Sequence, residues 1–144
     1  RGAGKQQRRR FQIQSAPALV FLDPDGSLRD QISGYFASEP FLAELRRIKA
    51  NQGTFSGLRA RIRSDPGDLD SRWELACKLR TIGDLVGYEE QVAQLRERDP
   101  EGRAPASRRM HLAALCSSAS AKLELAPLYD FVNSEKDPAL QFEA

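Results

Sequence analysis

The spacing of hydrophobic positions changes along the chain, and the changes divide it into segments. "ALVFL" (18–22) is an unbroken apolar run, too short for a helix and bounded by turn residues. It predicts a strand covered on both faces. "DPDG" (23–26) supplies a turn, because Pro24 presets φ at the second position and Gly26 is free to take positive φ. In "SLRDQISGY" (27–35) Leu28 and Ile32 fall on one face, Arg29 and Gln31 on the other. That alternation marks a half-exposed edge strand, and Gly34 is a position for a bulge.

A helical period begins at "SEPFLAELRRIKA" (38–50). Ser38 is the expected cap and Pro40 falls in the first turn, where its missing N–H costs little. Phe41, Leu45 and Ile48, with Leu42 beside them, form an inward stripe, and Arg46, Arg47 and Lys49 complement the dipole at the other end. "NQGT" (51–54) breaks the pattern before a short amphipathic helix, "FSGLRARIR" (55–63). From residue 65 the pattern is helical throughout. One helix is expected over 69–82, with Leu69, Trp73, Ala76 and Leu79 on one face and Gly83 as its stop. A second, over 84–97, aligns Leu85, Tyr88, Val92 and Leu95, and Trp73 and Tyr88 are expected as core between the paired helices. Residues 99–136 are a looser copy. Pro127 requires either a kink in a helix that starts near Ser120 or a start near Ala126, and the sequence leaves both open.

Length and charge refine this division. The 144 residues suffice for one domain or two small ones. The net charge of +2 conceals a split: residues 1–64 carry 12 Lys/Arg against 5 Asp/Glu, and residues 65–144 carry 10 against 15. The boundary is expected near "SDPGD" (64–68). Arg1, Lys5, Arg8, Arg9 and Arg10 concentrate the basic excess at the start. A solvated, flexible arm accounts for them better than a nucleic-acid arm, because no aromatics interleave with the charges. No apolar run approaches a membrane span, so no membrane partner is expected. A first residue that is Arg rather than Met suits a processed product or a piece of a longer protein. The cytoplasm is the expected compartment, with the periplasm open if the parent carries a signal peptide.

The chemistry-bearing residues are few. Cys77 and Cys116 stand in apolar helical patterns, where a thiol behaves as a small buried hydrophobe. With one histidine and no Cys-x-x-Cys, metal, cofactor and dithiol chemistry all lack their residues. His111 sits in an apolar helical run, Glu89-Glu90 on a helix surface and Asp23/Asp25 in a turn. "GAGKQ" (2–6) lacks the strand and spacing of a phosphate loop. No catalytic constellation emerges.

The order strand, turn, strand, helix behind a proline, in "IQSAPALVFLDPDG", resembles the C-terminal half of a thioredoxin fold. That resemblance makes Pro17 the candidate cis-proline and Ala16 the residue whose backbone meets an extended peptide. Gly26 and Gly34 match the hairpin glycines of that family, and Phe41 with Leu45 its last helix. Ala18 departs from the usual threonine, and the half that carries Cys-x-x-Cys is not in this chain, so redox activity at the family site is not expected. Asp-Pro recurs at 65–66, 99–100 and 137–138, and the interval from Pro66 to Pro100 resembles the helix–turn–helix period of tetratricopeptide arrays.

The implied fold is α+β/α: a partial thioredoxin-like hairpin plus helix, followed by an all-α tetratricopeptide-like array. Its parts are a basic flexible arm (1–10), the thioredoxin-like portion (11–50), a linker and short helix (51–64) and the helical repeats (65–144). The resemblance implies a non-catalytic protein-interaction or chaperone-adaptor module. The alternative is the C-terminal portion of a thiol-disulfide oxidoreductase or holdase whose Cys-x-x-Cys half lies outside this chain. A protein or peptide partner is expected, at Ala16 and Pro17 and on an exposed helical surface carrying Arg72, Lys78, Arg80 and Arg109. The 18–22 strand requires cover from the chain's own helices, from a second copy, or from a first half supplied in trans. Residues 65–136 are expected to be the more stable part, since helix packing there does not depend on further strands.

Overall fold

The computed structural model describes residues 3–122, 125–137 and 140, so Arg1 and the Pro138 of the last Asp-Pro lie outside the described residues. The chain is mostly helical with one small antiparallel sheet, an α+β arrangement. Its elements are α1 (Ala3–Arg10), β1 (Ala18–Leu22), β2 (Leu28–Ser33), α2 (Ser38–Lys49), α3 (Phe55–Ser64), α4 (Leu69–Ile82), α5 (Leu85–Arg98), α6 (Pro105–Lys122) and α7 (Ala126–Ser134). They form two compact units, Arg1–Gln91 and Val92–Ala144, with the boundary inside α5.

The hairpin forms where the turn chemistry places it. Gly26, at φ 79°, donates its N–H to the Asp23 carbonyl at 2.8 Å, and Gly34 N–H closes the far end on the Pro17 carbonyl at 2.9 Å. Leu19 pairs with Ile32, Val20 with Gln31 and Phe21 with Asp30, but Leu22 pairs with Leu28. The register therefore shifts at Arg29 and not at Gly34. Arg29 Nε donates to Asp23 Oδ1 at 2.6 Å, an ion pair that spans the shifted register. Residues 3–10, expected as a flexible arm, are helical as α1. Phe11 behind them is buried, and Arg10 Nη2 donates to the Gly26 carbonyl at 2.9 Å.

Local signals set most helix ends. The Thr54 hydroxyl accepts the Gly57 N–H at 3.0 Å and starts α3, and Asp68 accepts the Ser71 N–H at 2.9 Å and starts α4. Gly83, at φ 83°, stops α4 in the left-handed conformation. The cap of α2 is Ala37 with no side-chain bond, so Ser38 is its first helical residue rather than its cap. Pro127 resolves in favour of a helix start at Ala126, with the proline in the first turn of α7.

The core of the first unit lies across the boundary expected at 64–68. Phe55 and Leu58 of α3 pack with Leu75, Leu79 and Ile82 of α4, and Leu28, Ile62 and Tyr88 close around them. Burying each such side chain stabilises the fold by about 2 kcal/mol. α3 also packs on β2, so the helix assigned from sequence to a linker is the keystone of this unit. The inward face of α4 is rotated from the expected stripe: Leu75, Ala76, Leu79 and Ile82 are buried, while Trp73 is half-buried. The stripe of α2 narrows to Ile48, with Phe41 and Leu45 half-buried and Leu42 exposed.

In the second unit α6 packs against α7. Arg108 Nη1 donates to Glu135 Oε1 at 2.7 Å, and this buried carboxylate also accepts the Lys136 and Asp137 N–H groups. The His111 and Phe131 rings meet at a tilt of 40°, with centroids 5.5 Å apart.

Candidate protein-docking site

β1 pairs on one side only among the described residues, because the sheet has two strands. Its other edge therefore presents unpaired N–H and C=O groups. Large apolar side chains are exposed on β1 and in the loop after β2: Leu19 is 47% and Leu22 46% exposed, with Phe36 at 46% and Tyr35 at 92%. A concavity of about 290 Å³ opens at the Pro17 end of the strand, lined by Pro17, Leu19, Ile32, Tyr35, Phe36 and Phe41.

Ala16 and Pro17 are both exposed and joined by a cis peptide bond, and of the two Pro17 lines this concavity. The Gly34–Pro17 hydrogen bond fixes the loop 34–37 beside them. The sequence reading did not include Tyr35 and Phe36 in the site. Their signal was an adjacent aromatic pair just after a glycine, in a segment otherwise polar.

The four basic residues expected as an exposed surface have different fates. Arg72 is buried, with Nη1 3.1 Å from Gln91 Oε1 and Nη2 3.4 Å from the Pro66 carbonyl. The rotation of α4 toward α3 draws it inward. Lys78 is drawn in by a charge: its Nζ lies 2.9 Å from Asp30 Oδ1 and 5.0 Å from the Phe55 ring centroid. Neither residue belongs to an exposed docking face. Arg80 is exposed and holds its guanidinium 5.8 Å from the Tyr88 ring, whereas Arg109 is half-buried in the other unit.

Asp30, the partner of Lys78, is the residue the sequence reading missed. Its side chain is fully buried, and it also receives Arg47 Nη2 at 2.7 Å, so one carboxylate joins β2, α2 and α4. The signal was present in the period of two: residue 30 shares its face with Leu28 and Ile32.

Cys77 and Cys116 are both free thiols. Cys77 is exposed on α4 rather than buried as expected, because its position lies off the buried face of that helix. Desolvation pushes its thiol above the usual value, with the Arg80 charge offsetting part of the effect. It therefore lacks the activated thiolate that exchange chemistry requires. Among the described residues no group of three or more His, Cys, Asp or Glu could hold a metal ion, and no helix is long and apolar enough to cross a membrane.

Neither a protein-family model, nor a curated protein, nor a solved structure matches this chain.

Proposed function

We propose that this chain is a non-catalytic protein-interaction module, a thioredoxin-like remnant joined to tetratricopeptide-like helices, that binds an extended segment of a partner along β1. The segment adds a strand to the open edge, so that main-chain hydrogen bonds supply affinity. Its apolar side chains enter the concavity beside Pro17, Phe36 and Phe41, which supplies selectivity. The observation that carries this reading is the coincidence, on β1, of an unpaired strand edge with exposed Leu19 and Leu22 and an apolar concavity at its Pro17 end.

The test uses a permanently unfolded, reduced and alkylated polypeptide as ligand and hydrogen exchange as readout. Slowed exchange at residues 18–22 on adding the ligand is the expected result, abolished by Leu19→Lys. Exchange unchanged along β1, with protection elsewhere or nowhere, would refute it.

A second reading has its own support in the order of hairpin and α2, and in the Gly34–Pro17 bond that places the proline beside β1. In it the strand received by β1 comes from a first half of a thioredoxin fold that carries Cys-x-x-Cys. A stable complex with a separately expressed half of that kind, active in thiol exchange, distinguishes this reading from peptide capture.

A further inference from the structure

The basic segment at 3–10 suits a flexible arm by sequence, but in the structure it is α1, a helix held at its C-terminal end. Phe11 directly behind it is buried, Arg10 Nη2 donates to the Gly26 carbonyl at 2.9 Å, and Gln14 Nε2 donates to the Ile82 carbonyl at 3.1 Å. The N–H groups of Phe11, Ile13 and Gln12 donate to the carbonyls of Gln7, Arg8 and Arg9, and Gln12 turns the chain in the left-handed region at φ 51°. Backbone groups therefore cap the last turn, and its arginine side chains are not needed for that purpose.

Lys5, Arg8 and Arg9 stand at i, i+3 and i+4 and so share one face of α1. Arg10 lies about 140° round the helix from Lys5 and turns to the hairpin instead. Every residue from Gly4 to Arg10 is exposed. No carboxylate lies within ion-pair distance of Lys5, Arg8 or Arg9 among the described residues, and residues 1–22 contain no Asp or Glu. Asp25 adjoins Gly26, the residue that receives Arg10, and its carboxylate is bonded to Ser27. Elsewhere in the same unit Arg29, Arg47, Arg61 and Lys78 are each paired with a carboxylate. The α1 face is thus a cluster of uncompensated positive charge.

We propose that this face binds the phosphate backbone of a nucleic-acid duplex through Lys5, Arg8 and Arg9. Three cations on one side of an anchored helix meet the phosphates without the ordering cost that a flexible arm incurs. Each phosphate neutralised releases condensed counterions, so charge rather than base sequence sets the affinity. Gln6 and Gln7 add neutral donors for phosphate oxygens. The composition of α1 tells against other anionic surfaces. It has no large apolar residue, whereas a helix that docks on a bilayer buries an apolar face. For the same reason it offers nothing to the apolar centre of an interface with an acidic protein. It carries no aromatic ring on which unstacked bases could lie, which favours a duplex over a single strand. None of these residues belongs to the β1 edge, so the inference stands apart from that reading.

The experiment measures fluorescence anisotropy of a labelled DNA duplex on the full chain over a series of salt concentrations. Saturable binding is expected, with log K falling against log salt at a slope of about −2.7 for three phosphates neutralised. Lys5→Gln/Arg8→Gln/Arg9→Gln should weaken binding at least tenfold at low salt and remove most of the slope. Arg46→Gln/Lys49→Gln/Arg63→Gln, which removes equal charge from exposed positions of α2 and α3, should change affinity less than threefold and leave the slope intact. Circular dichroism of both variants checks that they fold. Arg8→Gln alone, expected to lower the slope by about one, serves where the triple variant unfolds. Absence of binding, equal loss in the control variant, tighter binding of the single strand, or displacement of the duplex by polyglutamate or phosphatidylserine vesicles at equal charge would each overturn the proposal.

Discussion

Asp30 shows how a single residue reverses the meaning of its surroundings. An unpaired carboxylate at full burial would be costly, but two cations and the Gln31 N–H satisfy this one. Asp30→Ala removes the shared acceptor and leaves Arg47 and Lys78 facing each other across apolar surface. Urea unfolding is expected to register a loss of about 3 kcal/mol, near the low end for a broken buried pair because both cations are partly exposed. Other carboxylates act through helix ends. The Ser71 N–H and hydroxyl, then Arg61, hold Asp68 below the usual carboxylate range, and the Ala104 N–H with its neighbours does the same for Asp99. Folded-state values below the unfolded ones mean stability present above pH 3.8 and lost as pH falls through the depressed values. The stability gap between the wild type and Asp68→Asn, from urea midpoints, should therefore be widest above pH 4 and narrow as pH falls below it.

At the scale of elements, what could be read from sequence was what is decided locally. The hairpin turn and the boundaries of α3, α4 and α5 follow from Asp23 to Gly26, Thr54, Asp68 and Gly83, whose roles depend on their immediate neighbours. The rotation of α4, the register shift at Arg29 and the burial of Arg72 depend on which element packs opposite, and no local pattern specifies that. The open edge at 18–22 was legible as an apolar run between turns, but the part of Tyr35 and Phe36 in the concavity beside Pro17 was not, because the loop that carries them has no period. Gly83 joins the two kinds of information. Its positive φ is a local requirement, yet a Cβ there would also lie 2.7 Å from Gln14 Nε2, which donates to the Ile82 carbonyl. Gly83→Ala is thus expected to cost at least about 1 kcal/mol, read as a lower urea midpoint. Gly57→Ala should cost more, because its Cβ would meet the Asn51 backbone carbonyl, which a rotamer change cannot relieve.

For the molecule as a whole, the distribution of buried side chains decides which region opens last. The sequence pattern placed the greater stability in 65–136, on the argument that helical repeats need no sheet. The side chains point elsewhere. Phe55, Leu58, Leu75, Leu79 and Ile82 form one cluster across α3 and α4, with Ile32 and Ile48 buried in the same unit, whereas α7 buries none of its residues. Opening free energy rises with buried apolar contact, so amides of α3 and α4 should exchange slowest and those of α7 fastest among the packed helices. Native-state hydrogen exchange in low urea measures this order directly. Leu58→Ala should speed exchange in α3, α4 and β2 together, by about 100-fold for a loss near 3 kcal/mol, because β2 packs on α3. A uniform acceleration across α6 and α7 as well would mean that the two units unfold as one. Acceleration confined to α3 would mean that the sheet and α4 hold together without it, contrary to a core centred on Phe55 and Leu58.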